Sequence, residues 1–334
     1  MEATGNLGLV GAAAVEEAAS PGRAAAIWGR FRRHRAGVVG LVVLGMLVLA
    51  GIFVPLLSQF DHNQVNPALP FAPAGAVDPI SGNVYWLGSD YLGRDEFSRL
   101  FYGVRTSLLL ALVSTLAVVV LGTAVGALAG YYGGRVDAVL MRSTDFMLAL
   151  PLLPMYLFAT RLIRTAPGLG PWFDANPVVG TLSSIALVFV LFGWMGIARL
   201  VRGSFLSLRT LDYVEASRAL GAGDRRIVLR HLLPNALPPV LVAATFAAGD
   251  FIILEAILSY FGQGVYEHAA PSWGNLLAGS QNYVWYVANL NPFQEIRGYL
   301  IFLPTAMILA SVLSINYIGD ALRDVLDPHG RAQA

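Results

Sequence analysis

TSLLLALVSTLAVVVLGTAVGALAGYYGG, residues 106–134, contains no charged side chain. A bilayer core about 30 Å thick takes about 20 apolar residues of helix, so this stretch is long enough to cross a membrane at a tilt. Its Gly122, Gly126 and Gly130 form two overlapping G-x-x-x-G patterns, which predict close packing against another helix. Working outward, Ala36 to Ser58, Ala175 to Ala198 and Gly298 to Gly319 are also uncharged and read as spans. A further span is expected at about 139–162, with Pro151 and Pro154 inside and Asp145 and Arg161 in its flanking turns. Another runs from Pro239 to about Phe261 and carries Asp250 and Glu255. The expected fold is all-α: a polytopic membrane protein of six transmembrane helices.

Composition agrees. Of 334 residues, 56% are hydrophobic and 13% charged, and the mean hydropathy is +0.62. Soluble domains sit near 45–50% apolar and about 25% charged, which excludes a soluble enzyme or a disordered chain. Cysteine is absent, so disulfides, thiolate metal sites and a Cys nucleophile are excluded. All 22 basic residues are arginine; without lysine there is no Walker A lysine and no Schiff base. A net charge of +1 does not point to nucleic acid. His34, His62, His231, His268 and His329 are scattered, and H-E-x-x-H, G-x-G-x-x-G and G-x-S-x-G are missing. The class indicated is a transporter, channel or structural membrane subunit.

Six spans place both termini on one side. With the N-terminus inside, Arg23, Arg30, Arg32, Arg33, Arg35, Arg135, Arg142, Arg199, Arg202, Arg209, Arg218, Arg225, Arg226, Arg230, Arg323 and Arg331 are internal. Arg94, Arg99, Arg105, Arg161, Arg164 and Arg297 are then external. The positive-inside rule therefore predicts N-in and C-in. Residues 1–22, rich in Ala, Gly and Glu, read as a disordered cytoplasmic tail. The first apolar stretch starts late and runs too long for a signal peptide. Residues 23–35 mix Trp28 and Phe31 with arginine and read either as an interfacial helix or as a positive flank without further role. The expected layout continues with TM1 at 36–58, an external loop at 59–105, a core at 106–328 and a tail at 329–334. Within that core lie an inner loop, 199–238, and an outer loop, 264–297.

The inner loop is the unusual segment. Leu211-Asp212-Tyr213-Val214-Glu215-Ala216-Ser217-Arg218-Ala219-Leu220-Gly221 predicts a helix, with Asp212 near its positive end and Gly221 as its stop. Val214, Ala216, Ala219 and Leu220 are read as one apolar side, available either to a groove in a partner or to the chain's own loops.

Glu215-Ala216-Ser217-x3-Gly221-x9-His231-x-Leu233-Pro234 resembles the EAA loop of ABC importer permeases, with Ser217 for the second Ala and His231 for the usual Ile. Leu87-Gly88-Ser89-Asp90-Tyr91-Leu92-Gly93-Arg94-Asp95, Glu255-Ala256-x-Leu258-Ser259-Tyr260-Phe261-Gly262, Pro271-Ser272-Trp273-Gly274 and Gly319-Asp320-Ala321-Leu322-Arg323-Asp324 are similar to blocks of the dipeptide, oligopeptide and nickel subfamily. The resemblance covers residues 27–328 and is to its "C" permeases; the outer loop is extended around 281–297.

The resemblance implies a permease subunit of a binding-protein-dependent importer in a bacterial or archaeal cytoplasmic membrane. The partners implied are a homologous second permease, two ATP-binding subunits, an extracytoplasmic solute-binding protein and membrane lipid. ATP and Mg would reside in the ATP-binding subunits and no cofactor in this chain. Asp212, Tyr213, Glu215, Ala216, Ser217, Leu220, Gly221 and Ala222 would couple to an ATPase. Asp250 and Glu255, costly at membrane depth, are read as a possible translocation path or as structural pairs. The solute carried would be a di- or oligopeptide, with nickel or another small solute as the alternative. A proton-coupled carrier using the same carboxylates is the rival mechanism, and a membrane hydrolase is a rival without motif support.

Overall fold

The computed structural model describes residues 23–290 and 299–326. Both terminal tails, and 291–298 within the extended outer loop, lie outside the described residues. A short helix α1 (Arg23–Phe31) precedes α2 (Arg35–Leu57). A hairpin of β1 (Ala76–Val77) and β2 (Val84–Tyr85) follows, antiparallel with Ala76 opposite Tyr85. Then come α3 (Glu96–Tyr132), α4 (Gly134–Ala149), α5 (Leu152–Thr165), α6 (Leu169–Ala175) and α7 (Pro177–Leu208). After α8 (Asp212–Ala219) and α9 (Asp224–Ile227), a π-helical turn (Val228–Leu232) leads into α10 (Leu233–Tyr260). The bundle closes with α11 (Trp273–Leu290) and α12 (Tyr299–Leu326).

Five helical runs are long and apolar enough to cross a membrane: α2, α3, α7, Asp224–Tyr260 and α12. The stretch expected as one span at 139–162 is two helices, α4 and α5, set at 94°. Pro151 explains the break: it has no N–H to donate, and it pushes Leu150 into an extended conformation at φ −75°, ψ 144°. Counted as one broken span, the pair brings the candidate crossings to six. At the end of α5, Arg164 Nη2 donates to Gly264 O at 2.8 Å, just beyond the end of α10. At the opposite end, His34 Nε2 lies 3.2 Å from Asp324 Oδ2 and Arg30 Nη1 donates to Val325 O at 3.2 Å. The start of α2 and the finish of α12 therefore share one end of the molecule, as an even number of crossings requires.

The glycine pattern does what its spacing predicts, and α7 is its partner. A Cβ on Gly122 would stand 2.7 Å from Trp194 O, and one on Gly130 2.6 Å from Phe205 Cβ. Behind this seam Ile185, Val188, Phe189, Val201 and Phe205 are fully buried. The residues expected as interfacial helix are helical from Arg23, and Phe31 packs against Ala321 and Val325 at the end of α12, while Trp28 stays half-exposed. Much of the inner segment expected as loop is helix: α7 runs on to Leu208 and helix resumes at Asp224.

Pro55 lies inside α2, and its missing N–H frees the carbonyl of Gly51. Arg105 takes that oxygen through Nε at 2.5 Å and the next, Ile52 O, through Nη2 at 2.8 Å. Arg105→Ala is expected to lower stability by about 1–3 kcal/mol, seen as a lower thermal midpoint in detergent. Adding Pro55→Ala should recover much of the loss, because the new N–H reaches Gly51 O; an unaltered midpoint in Arg105→Ala would refute this.

Candidate functional site

The surface at the α7–α10 turn is built from its ends inward. Arg209 Nη1 donates to Gly130 O at 3.0 Å and ties the foot of α7 to the last turn of α3. α8 begins at Asp212, directly after its N-cap Leu211; Asp212 and Glu215 both sit in the first turn, where the helix dipole favours them. It ends in a Schellman motif: Ala222 N donates to Ser217 O at 3.0 Å and Gly221 N to Arg218 O at 2.9 Å. Gly221 has φ +82° with open space around it, so the glycine is required by the backbone turn. Tyr131 Oη donates to Asp224 Oδ1 at 2.7 Å and holds α9 against α3. The hydroxyl of Ser217 turns back to Tyr213 O at 2.8 Å.

One expectation needs correction. Val214 is fully buried against the chain's own core, whereas Leu220 is 88% exposed. Val214 and Ala216 are two residues apart, about 200° around a helix, so they cannot share a side. The outward side holds Asp212, Tyr213, Glu215, Ala216, Ala219 and Leu220, while Ser217 and Ala222 are partly covered. Among the described residues no hydrogen bond or ion pair takes the Glu215 carboxylate. The exposed side of α8 thus carries acids in its first turn and a large apolar side chain at its end.

The two carboxylates of α10 have different surroundings. Glu255 is 1% exposed; its Oε1 accepts from Ser259 Oγ at 2.7 Å and Ser272 Oγ at 2.8 Å. It thereby joins α10 to the start of α11, where Trp273 is fully buried and its Nε1 donates to Leu100 O at 3.1 Å. Asp250 is exposed and lies in an open cleft of about 440 Å³ with Leu152, Tyr156, Gly193, Phe251 and Leu254. Asp145 pairs with Arg199, and Asp137 with Arg202. Among the described residues no group of three His, Asp or Glu is placed to hold a metal ion.

The far end carries a cluster that spacing alone does not disclose. Arg94 Nε donates to Asp90 Oδ2 at 2.7 Å, and Arg94 also pairs with Glu267. Arg99, fully buried, lies 3.4 Å from Glu267 Oε1, and Tyr91 Oη donates to Glu267 Oε2 at 2.8 Å. The Asp90–Arg94 half is legible as neighbours in one motif. Glu267, distant in sequence, is brought in only by the fold and ties the segment after α10 to the one before α3.

Comparison with known proteins matches this architecture. Residues 122–331 match the family described as binding-protein-dependent transport system inner membrane component. Residues 21–73 match the N-terminal TM domain of oligopeptide transport permease C. The chain is 31% identical to the oligopeptide transport system permease protein OppC of Bacillus subtilis, over 90% of this chain and 87% of that one. It is 33% identical to the dipeptide transport system permease protein DppC of Alkalihalophilus pseudofirmus, over 93% of this chain and 91% of that one. A crystal structure of the MetNI methionine ABC transporter in an inward-facing conformation shares the fold: TM-score 0.51, 22% identity, 68% of this chain and 96% of that one. The chain, a multi-pass membrane protein, therefore belongs to the family of inner membrane components of binding-protein-dependent transport systems.

Proposed function

We propose that this chain is the transmembrane permease subunit of an ATP-driven, binding-protein-dependent importer of di- or oligopeptides. A homologous second permease completes the path, two ATP-binding subunits carry ATP and Mg, and an extracytoplasmic binding protein delivers the solute. Both termini and α8 face the cytoplasm, in keeping with the arginine distribution. The observation that carries this reading is α8, a helix whose outward side has no use within the chain. Seated in an ATPase groove, it transmits closure of the ATPase pair into α7 and α10, which tilt as rigid bodies. Peptide as the solute rests on the names of the relatives; the open cleft around Asp250 supports reading it as part of the path.

Proteoliposomes holding this chain alone are expected to show neither ATP hydrolysis nor uptake. Adding the second permease, both ATP-binding subunits and the loaded binding protein should produce both. Uptake by the single chain under an imposed pH gradient, insensitive to ATP, would overturn the assignment in favour of a proton-coupled carrier. In the complete complex, Ala216→Trp is expected to lower uptake at least tenfold while the chain still inserts. Ala216 is the better position to test than Gly221, because any residue at Gly221 also strains the φ +82° turn. Uptake at the normal rate in Ala216→Trp would remove α8 from the coupling role.

A further inference from the structure

We propose that Asp250 holds the N-terminal ammonium group of the peptide as it crosses, in the cleft between α5, α7 and α10; this rests on the peptide-permease reading above. The cleft is of ligand size: about 440 Å³, within the roughly 300–1,000 Å³ of small-molecule sites. Among the described residues, Asp250 is the one charged residue that lines it, in a wall otherwise made of aliphatic and aromatic side chains and Gly193. It is ten residues before the end of α10 at Tyr260, about 15 Å of helix rise, within a helical run long and apolar enough to cross a membrane.

A carboxylate within such a span is costly unless compensated. Asp137 and Asp145 on α4 are compensated by Arg202 and Arg199. Asp250 has neither an ion pair nor a hydrogen bond among the described residues. A cation that compensates the ionised form must come from beyond the described residues. A divalent metal ion is poorly served, since no second or third carboxylate or imidazole joins Asp250 to complete a coordination sphere. An ammonium group suits a single carboxylate. The rest of the wall, with Leu152, Tyr156, Phe251 and Leu254, offers apolar surface to peptide side chains.

The test uses the complete importer in proteoliposomes and one dipeptide in free and N-acetylated forms, each at a concentration that saturates the binding protein. Asp250→Asn is expected to lower uptake of the free form at least tenfold and to bring the free-to-acetylated uptake ratio close to one. Asp250→Glu should restore most of both. Because the chain has no cysteine, Ile253→Cys adds one thiol to the lining of the cleft with Asp250 intact, and its alkylation during turnover should be slowed by the free dipeptide more than by the acetylated form. An unchanged uptake ratio in Asp250→Asn, or no protection of the thiol, would overturn the proposal. Loss of the second permease from the purified Asp250→Asn complex would also overturn it, by marking Asp250 as a subunit-interface pair. A wild-type complex that takes up neither form would overturn the peptide reading itself.

Discussion

Replacing Gly126 with alanine, a change of one methyl group, is expected to lower the thermal midpoint of the whole bundle. The added Cβ would press into the carbonyl oxygen of Ala198 and stand 2.8 Å from Val201 Cβ. Both belong to α7, and Ala198 O is backbone, which no rotamer change can move aside. Overpacking of this kind costs about 1–3 kcal/mol. The α3–α7 seam holds the largest buried cluster, so the loss falls on the whole bundle. Gly203 is the control. It also lies in a long helix, but a Cβ there meets nothing within 4 Å, and Gly→Ala in a helix gains up to about 1 kcal/mol. Thermal midpoints in detergent should fall in Gly126→Ala and hold or rise in Gly203→Ala. Equal midpoints for the two variants would contradict the close contact.

Arg94→Ala is expected to open the outer cap. Its guanidinium side chain is 5% exposed and bridges Asp90 and Glu267. Removing one partner of a buried ion pair costs about 3–5 kcal/mol, because the carboxylates stay buried with less compensation. Arg99 remains, fully buried, but its reach to Asp90 is 3.6 Å and to Glu267 3.4 Å, too long to replace what is lost. Limited proteolysis within 59–105 should accelerate, and the thermal midpoint should fall. Glu267→Gln added to Arg94→Ala should recover part of the loss by removing one stranded charge.

The same cap sets a pH dependence. Burial alone would raise the Glu267 carboxyl, but Arg94 and the donating Tyr91 hydroxyl hold it below the usual glutamate range. A depressed carboxyl contributes stability that is present above its unfolded value, about 4.3, and is lost as pH falls through the folded one. Burial, with Glu267 alongside, pushes Tyr91 up to about 12. Its contribution is present below about 10 and is lost as pH rises toward the folded value. Glu267 and Tyr91 therefore add no pH dependence of their own between about pH 5 and 10. Faster proteolysis of the cap below about pH 4 should weaken in Glu267→Gln; an identical acid limb in that variant would contradict the clamp.

Local patterning settled the membrane class and most of the crossings. Apolar runs longer than a bilayer is thick have one outcome, so α2, α3, α7, α10 and α12 follow from residue order alone. Helix signals at short range are equally local, and the start of α8 at Asp212 and its stop at Gly221 needed nothing distant. The G-x-x-x-G spacing announced a close contact without naming α7 as the partner. Pro151 announced a break, but the 94° angle between α4 and α5 belongs to what each packs against. Val214 and Glu267 were beyond reach for one reason: burial and pairing depend on which distant segment arrives. Asp250 and Glu255 make the point on a single helix. Five residues apart, they stand about 140° apart around its axis, an angle the residue order dictates. Which of the two meets an open cleft and which meets Ser259 and Ser272 is decided by the neighbours that pack on α10, because a helix carries its side chains at fixed angles but has no preferred rotation of its own.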